Sequence, residues 1–422
     1  MIVKNEEHNI ERALTWAKDI AFEQIVVDTG STDRTVEIAD KMGAKVLHFE
    51  WVNDFSAAKN YALEQATGEW IAFLDADEYF PAEDIEKLLA HIVKIHTDPI
   101  LKSKHKIIGC SLYNITETGE TTSVVEQARI YQNRKELRYV GKIHEAVSAY
   151  TYDVLWVSDI KIIHLTSSES RLAQGKDERN IKMIRAELAE DPQNLLMKGY
   201  LAEALLSTKN EAYREEAESL FTELIEKGGA QNIKTIALTR RAYNNLILKD
   251  MDDPEKRENS KKLCLNAMKD FPNWLDFEYF YTMLLNRMGE YEQALKVAIE
   301  CEEKLAKEQF HAKSEIVSAK PHLLFAQILL AAQELRDIET VMKYAAYILS
   351  ADKTNMGVLG PYISTLSKNG ATTEEVIEAL GKIYNMEDPR DLLTIGRAAK
   401  DYGAIAIAQI IVRMAGERMG KI

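Results

Sequence analysis

The sequence predicts two architectures in series. An α/β domain with a mostly parallel, doubly wound sheet is expected over residues 1–166, and an all-α helical array over 167–422. Three observations predict this. Apolar runs of four or five residues alternate with helical patterns through the first hundred residues, the order that builds βαβ units. Two of those runs end in carboxylates, at Asp28 and at Asp75-Ala76-Asp77. Beyond about Ser167 the apolar spacing is helical almost throughout.

Met1-Ile2-Val3 reads as the end of a strand that begins before residue 1, because a buried strand usually has five or six residues. Asn5 is expected to cap a helix carrying Ile10, Ala13, Leu14 and Ala17 on one face. Gln24 to Asp28 is the next buried strand. Ser31 or Thr32 would cap the following helix, which Gly43 stops. Lys45 to Phe49 is a third strand, and Phe55 to Ala66 a helix opened by Asp54 or Ser56. Trp70 to Leu74 is a fourth strand, entered after Gly68. A helix from Ala82 to His96 should turn Ile85, Leu88, Leu89, Ile92 and Val93 inward. Shorter strands are expected at Lys106–Asn114, Glu126–Gln132, Tyr139–Val147 and Tyr152–His164, extending the sheet in mixed or antiparallel fashion over the site.

In open α/β sheets ligands bind beyond the carboxyl ends of the strands, which is where Asp75 and Asp77 fall. Hard oxygen ligands there suit Mg²⁺ or Mn²⁺, which keeps waters and bridges to substrate phosphates. A metal-held diphosphate is the leaving group that glycosyl transfer from a nucleotide-sugar requires. Asp-x-Asp alone is a weak signal; its upstream context strengthens it.

The chain has 422 residues, enough for two or three domains, and 46% apolar content ordinary for globular protein. No apolar run reaches membrane-spanning length, and the N-terminus lacks the basic region and apolar core of a signal peptide. Cys110, Cys264 and Cys301 fit no metal spacing and are expected to be buried, reduced thiols of a cytoplasmic protein. A net charge of −14 argues against broad nucleic-acid binding.

The helical half is expected as twelve segments with short loops, the last breaking near Gly403. Tyr279 to Leu295 resembles the turn region of a tetratricopeptide repeat through Gly289, Tyr291 and Ala294, without the closing proline; Ala204, Tyr213 and Ala217 give a weaker second copy. Such arrays offer extended surfaces to partner chains or to a second copy, so a peptide or protein acceptor and a homodimer are the partners expected.

Four blocks occur in order over residues 1–80: Met-Ile-Val-Lys-Asn-Glu-Glu, Ile-Val-Val-Asp-Thr-Gly-Ser-Thr-Asp-Arg-Thr, Asn-Asp-Phe-Ser-Ala-Ala-Lys-Asn-Tyr-Ala and Phe-Leu-Asp-Ala-Asp-Glu. Together they resemble family 2 glycosyltransferases of the GT-A fold. Arg129-Ile130-Tyr131-Gln132-Asn133, Tyr139 to Glu145, and Ile163-His164 resemble later motifs of a bacterial branch that joins such a domain to tetratricopeptide-like helices. That branch includes transferases for bacteriocin peptides, S-glycosyltransferases among them, and for flagellin; a relative without the helical arm works on lipopolysaccharide core.

The resemblance implies an inverting transfer from a UDP-sugar, with roles residue by residue. Asp28 would accept the uracil N3–H, or cap the following turn. Lys4, Glu6 and Ser31 would line the nucleotide loops, Glu6 equally serving the helix dipole. Lys59 would face the donor phosphates, or be solvated. Asp75 would contact ribose or share the metal through water, with Ala76 beside it. Asp77 would ligate the metal directly, and His164 would complete the sphere or sit in the core. Arg129 would bind diphosphate or pair with an acid. Of the pair His144-Glu145, Glu145 is the expected base and His144 a phosphate ligand or orienting group. A nucleotidyltransferase would want a glycine-rich loop where this chain has Lys-Asn-Glu-Glu. The remaining alternatives are a cell-envelope glycan acceptor and a non-catalytic nucleotide-sugar-binding scaffold.

Overall fold

In a computed structural model the described residues are 1–148, 153–166, 175–229, 232, 235–307, 314, 316–318 and 320–420. They divide into two compact units, Met1–Leu220 and Phe221–Ile422. The change from strand to helix comes between Thr166 and Lys176, so the first unit takes in two whole helices of the array.

The first unit opens with three parallel strands, β1 (Ile2–Val3), β2 (Ile25–Asp28) and β3 (Lys45–His48), with Val3 opposite Asp28 and Asp28 opposite His48. Val26 and Val27 are fully buried, as a covered parallel strand requires. Between the strands lie α1 (Ile10–Thr15) and α2 (Thr35–Lys41), and after β3 comes α3 (Phe55–Gln65). Asp54 caps α3 by accepting from Ala57 N at 2.8 Å.

The expected caps of the first two helices are not formed. Asn5 sits in the left-handed region at φ 57°, and its Oδ1 accepts from Thr32 N at 2.8 Å. Ser31 Oγ in turn accepts from Asn5 N at 2.9 Å. These polar side chains therefore tie the loop after β1 to the loop after β2, and Asp33 takes the helix-start contact by accepting from Thr35 N at 3.0 Å. Local capping patterns do not distinguish a helix from a neighbouring loop as the recipient.

The fourth strand also differs from expectation. β4 (Trp70–Ala72) is shorter and runs antiparallel to β7 (Thr121–Gln132), with Trp70 opposite Gln132 and Ala72 opposite Ile130. It belongs to a five-stranded mixed sheet in the order β4-β7-β6-β10-β5, where β5 is Glu78–Tyr79, β6 His105–Thr116 and β10 Asp153–Thr166. Among its ladders only β10–β6 is parallel. The long β6–β7 hairpin sets this direction through Gly119, whose φ of 84° closes the turn. Gly109 on β6 is required for close packing, since a Cβ there would meet the Trp156 ring at 2.3 Å.

Tyr139–Val147 is not one strand. It forms β8 (Tyr139–Val140) and β9 (Ala146–Val147), paired antiparallel in their own ribbon, with residues 141–145 as the turn. Gly141 and His144 have positive φ, 96° and 51°, which no continuous strand accommodates.

The helix α4 (Ala82–Thr97) packs Ile85, Leu88 and Ile92 of the predicted face against the core and leaves Leu89 and Val93, at its edge, exposed. Asp84 is also buried, and its Oδ2 accepts from Lys161 N at 3.1 Å. A short α5 (Pro99–Lys104) leads into β6. The unit ends with α6 (Lys176–Glu190), α7 (Leu195–Ser207) and the start of α8 (Arg214–Gly228).

The second unit is helical throughout its described residues. Ten further helices run from α9 (Ile236–Asp250) to α17 (Pro389–Asp401) and α18 (Ile405–Met419). Gly403, at φ 81°, breaks the last pair as expected. Gly289, at φ 77°, ends one helix of the repeat-like segment, and Ala294 is fully buried where the next begins. One apolar cluster, built on aromatics such as Phe277, Phe280, Tyr344 and Tyr362, fills this unit. No described helix is long and apolar enough to cross a membrane.

Candidate active site

A cavity of about 790 Å³ opens in the first unit beyond the carboxyl ends of β1, β2 and β4. Asp75, Ala76 and Asp77 line it, immediately after the buried Phe73 and Leu74. Phe73 is held by its N–H donating to Arg129 O at 2.8 Å.

Charges alternate along one side. Lys59 Nζ lies 2.7 Å from Glu145 Oε1 and 3.3 Å from Asp75 Oδ1. Arg129 lies 2.9 Å from Asp75 Oδ2 and also bonds Glu78. Lys59 is only 3% exposed and lies over the Phe73 and Tyr139 rings, so its charge depends on these carboxylates. Burial works against ionisation of Asp75, but Lys59 and Arg129 overcome it and hold its pKa well below the usual carboxylate range. Burial likewise opposes the charge on Lys59, and Asp75 and Glu145 raise its pKa nonetheless. Glu78 is pushed up by burial and by Asp75.

Across the cavity His164 Nε2 lies 3.3 Å from Asp77 Oδ2, and His164 Nδ1 is 2.6 Å from Asn114 Oδ1. Burial disfavours the imidazolium, but the Asp77 hydrogen bond raises its pKa above the ordinary value. No group of three or more His, Cys, Asp or Glu side chains among the described residues is close enough to hold a metal by itself. Asp77 and His164 form an oxygen–nitrogen pair that suits Mg²⁺ or Mn²⁺ only with further oxygens from a diphosphate and water. Asp75 is already engaged by two cations.

Lys4 and Glu6 line the cavity from the loop after β1. Glu6 Oε2 accepts from Asn9 Nδ2 at 2.9 Å, and burial raises its pKa. Asp28 and Ser31 are not on the described lining. The Asp28 carboxylate accepts from Gly30 N at 3.2 Å and Ser31 N at 3.0 Å, and Thr29 faces the cavity in its place.

His144 and Glu145 reach the lining from the 141–145 turn. Helix α3 grips that turn. Phe55 N donates to Lys142 O at 2.8 Å, Ser56 Oγ to Gly141 O at 2.6 Å, and Asn60 exchanges two bonds with the Tyr139 backbone. The block Asn-Asp-Phe-Ser-Ala-Ala-Lys-Asn thus supplies a cap, two turn anchors and the central cation from one helix.

Among the lining residues that escaped the sequence reading are Lys176, Arg179 and Asn180 on α6, and Tyr200 on α7. Arg179 lies 5.1 Å over the Phe55 ring, and Tyr200 stacks on His144 with ring centroids 3.6 Å apart. Their sequence context reads as ordinary array helix, so nothing local marks them.

Residues 1–114 match the model for Glycosyl transferase family 2. This part of the chain is a family 2 glycosyltransferase domain. The chain is 31% identical over 204 residues to the SPbeta prophage-derived glycosyltransferase SunS of Bacillus subtilis, covering 46% of this chain and 45% of that protein. A TPR repeat-containing protein of Synechococcus elongatus is 38% identical over 147 residues, 35% of this chain and 34% of its own length. The matches thus span less than half the length of these relatives. Among solved structures, the match to S. aureus TarS 1–349 spans 68% of this chain and 90% of that one at 18% identity, with a TM-score of 0.32.

Proposed function

We propose that this chain is an inverting glycosyltransferase that moves a sugar from a UDP-sugar to a Cys, Ser or Thr side chain of a peptide or protein. The observation that carries the reading is that one cavity gathers Asp75, Asp77 and His164 with Glu145, the two aspartates coming from the stretch that matches the family 2 model. Donor chemistry and a base therefore share one space of ligand size.

Asp77 and His164 would hold Mg²⁺ or Mn²⁺, which neutralises the departing diphosphate. The acceptor oxygen or sulfur bonds to the anomeric carbon as the bond from that carbon to the diphosphate oxygen breaks. Glu145 takes the acceptor proton, and UDP leaves with the bonding electrons. Lys59 Nζ, 2.7 Å from Glu145 Oε1, holds that carboxylate in place for the step. A cysteine acceptor needs less help, because its thiolate is already nucleophilic. Asp28 is assigned the uracil N3–H. Asp28 lies beside the lining residue Thr29, and of its carboxylate's roughly four acceptor positions two are taken by N–H groups, with His48 Nδ1 3.4 Å from Oδ2.

The second unit is assigned to acceptor selection and to homodimer formation, because repeat-like helices present long surfaces. The acidic balance favours a basic or neutral peptide. Buried, unpaired cysteines suit a reducing cytoplasm.

The test is mass spectrometry of candidate peptides encoded beside the gene, incubated with the full chain, several UDP-sugars and Mn²⁺. A hexose-sized mass gain on a Cys, Ser or Thr is expected. Transfer only to a cell-envelope glycan would overturn the peptide assignment, and no donor turnover with any sugar would overturn the enzyme assignment.

A further inference from the structure

The turn that carries Glu145 is clasped from two sides. Helix α3 holds its backbone and meets Glu145 through Lys59. The opposite clasp comes from the first helical pair of the array. Lys142 Nζ lies 2.9 Å from Glu187 and 3.0 Å from Glu190, at the end of α6. Tyr200, on α7, stacks on His144 with an interplanar angle of 6°. His144 holds a left-handed backbone at φ 51°, a conformation uncommon for a non-glycine residue, so a contact that fixes its ring also helps to fix the turn. Glu145 follows directly.

We infer that Tyr200 is a positioning residue: by stacking on His144 it fixes the strained turn and so sets Glu145 against Lys59 and the acceptor atom. The first helical pair therefore belongs to the catalytic apparatus as well as to the array. The surface ion pairs of Lys142 are individually weak. The parallel stack at the strained residue is the specific restraint, and its flat geometry depends on the aromatic ring of Tyr200 rather than on its hydroxyl. The inference rests on the assignment of Glu145 as base, so its test needs a second readout.

In the full chain, Tyr200→Phe preserves the stack and Tyr200→Leu removes it at similar volume. Tyr200→Leu is expected to lower kcat by roughly 10- to 100-fold, the scale of an ångström-sized misplacement, with UDP affinity within about threefold of wild type. Tyr200→Phe should restore most of the rate. Adding Tyr200→Leu to Glu145→Gln should cost little further rate, because the base it positions is already gone. Amide exchange of residues 139–147 should quicken in Tyr200→Leu and not in Tyr200→Phe, while the rest of the first unit is unchanged. Unchanged exchange in Tyr200→Leu overturns the inference even if no substrate is ever found. Faster exchange with a normal kcat, or a rate loss fully additive with Glu145→Gln, also overturns it. Should the wild-type chain turn over no nucleotide-sugar, the proposed activity fails while the exchange result still decides whether Tyr200 holds the turn.

Discussion

Lys59 and Glu145 meet at 2.7 Å in the cavity wall, although one lies on a helix of the βα series and the other in a turn of a late ribbon. The same ammonium reaches Asp75 at 3.3 Å. One buried cation therefore binds the turn of the expected base to the carboxylates expected to face the donor. Its position explains why Lys59, on a face otherwise packed by Ala58, Ala62 and Leu63, is not an apolar residue.

Replacing Lys59 by Met should destabilise the fold and remove activity together. Breaking a fully buried pair costs about 3–5 kcal/mol; the Asp75 side chain is 37% exposed, so a loss of about 2 kcal/mol is the expected scale. Urea unfolding of wild type and Lys59→Met measures it. A midpoint shift within error would show that the network contributes nothing to stability.

Asp77→Ala should lower transfer by at least about 100-fold, the usual effect of losing one electrostatic stabiliser. EDTA should abolish transfer, with Mn²⁺ or Mg²⁺ restoring it. Full activity of Asp77→Ala in the presence of EDTA would end the assignment of Asp77 and His164 as metal holders.

Glu145→Gln should bind UDP normally and lose roughly 10²–10⁴-fold in kcat. A matching loss of donor affinity would make Glu145 a binding group. Near-normal turnover would move the search to Glu78, which lines the cavity beside Arg129, rather than to Asp54, which caps α3 and is not on the lining.

The helical half can be divided by truncation, with solubility checked first because cutting bares helix-packing surface. A chain ending at Gly229 retains Lys176, Arg179, Asn180 and Tyr200 and should still bind UDP and slowly hydrolyse donor, but fail to modify its peptide. A chain ending at Thr166 loses that wall of the cavity and should lose donor turnover as well. Equal peptide transfer by the Gly229 chain and the full chain would remove the second unit from acceptor selection.

Thiol labelling should distinguish the native from the unfolded chain sharply. All three cysteines are buried; burial pushes the Cys110 thiol up to about 12 and raises Cys264 and Cys301 also. At pH 8 a thiol reagent should label none of them until denaturant is added. Native labelling of any one at the unfolded rate would show that its surroundings open.

The sequence alone determined the order of βα units, the helical half, the Asp75–Asp77 carboxylates at a strand end and the break at Gly403. These are written in local periodicity and punctuation, which act over a few residues. It singled out Glu145, Lys59, Arg129 and His164 through a resemblance in motif order, and gave each a ligand or, for Arg129, an acid partner, without naming which side chain of the protein each would meet. The tertiary structure decided the partners. Lys59 turned to two carboxylates because burial leaves a cation no water to face. Asn5, Ser31 and Thr32 bonded across loops instead of capping helices, because backbone N–H groups nearby in space were equally available. Asp84 was buried on α4 beside the apolar face, where it accepts the Lys161 N–H. Lys176, Arg179 and Tyr200 reached the cavity only because two array helices pack within the first unit. No pattern local to a helix records which distant turn its side chains will meet.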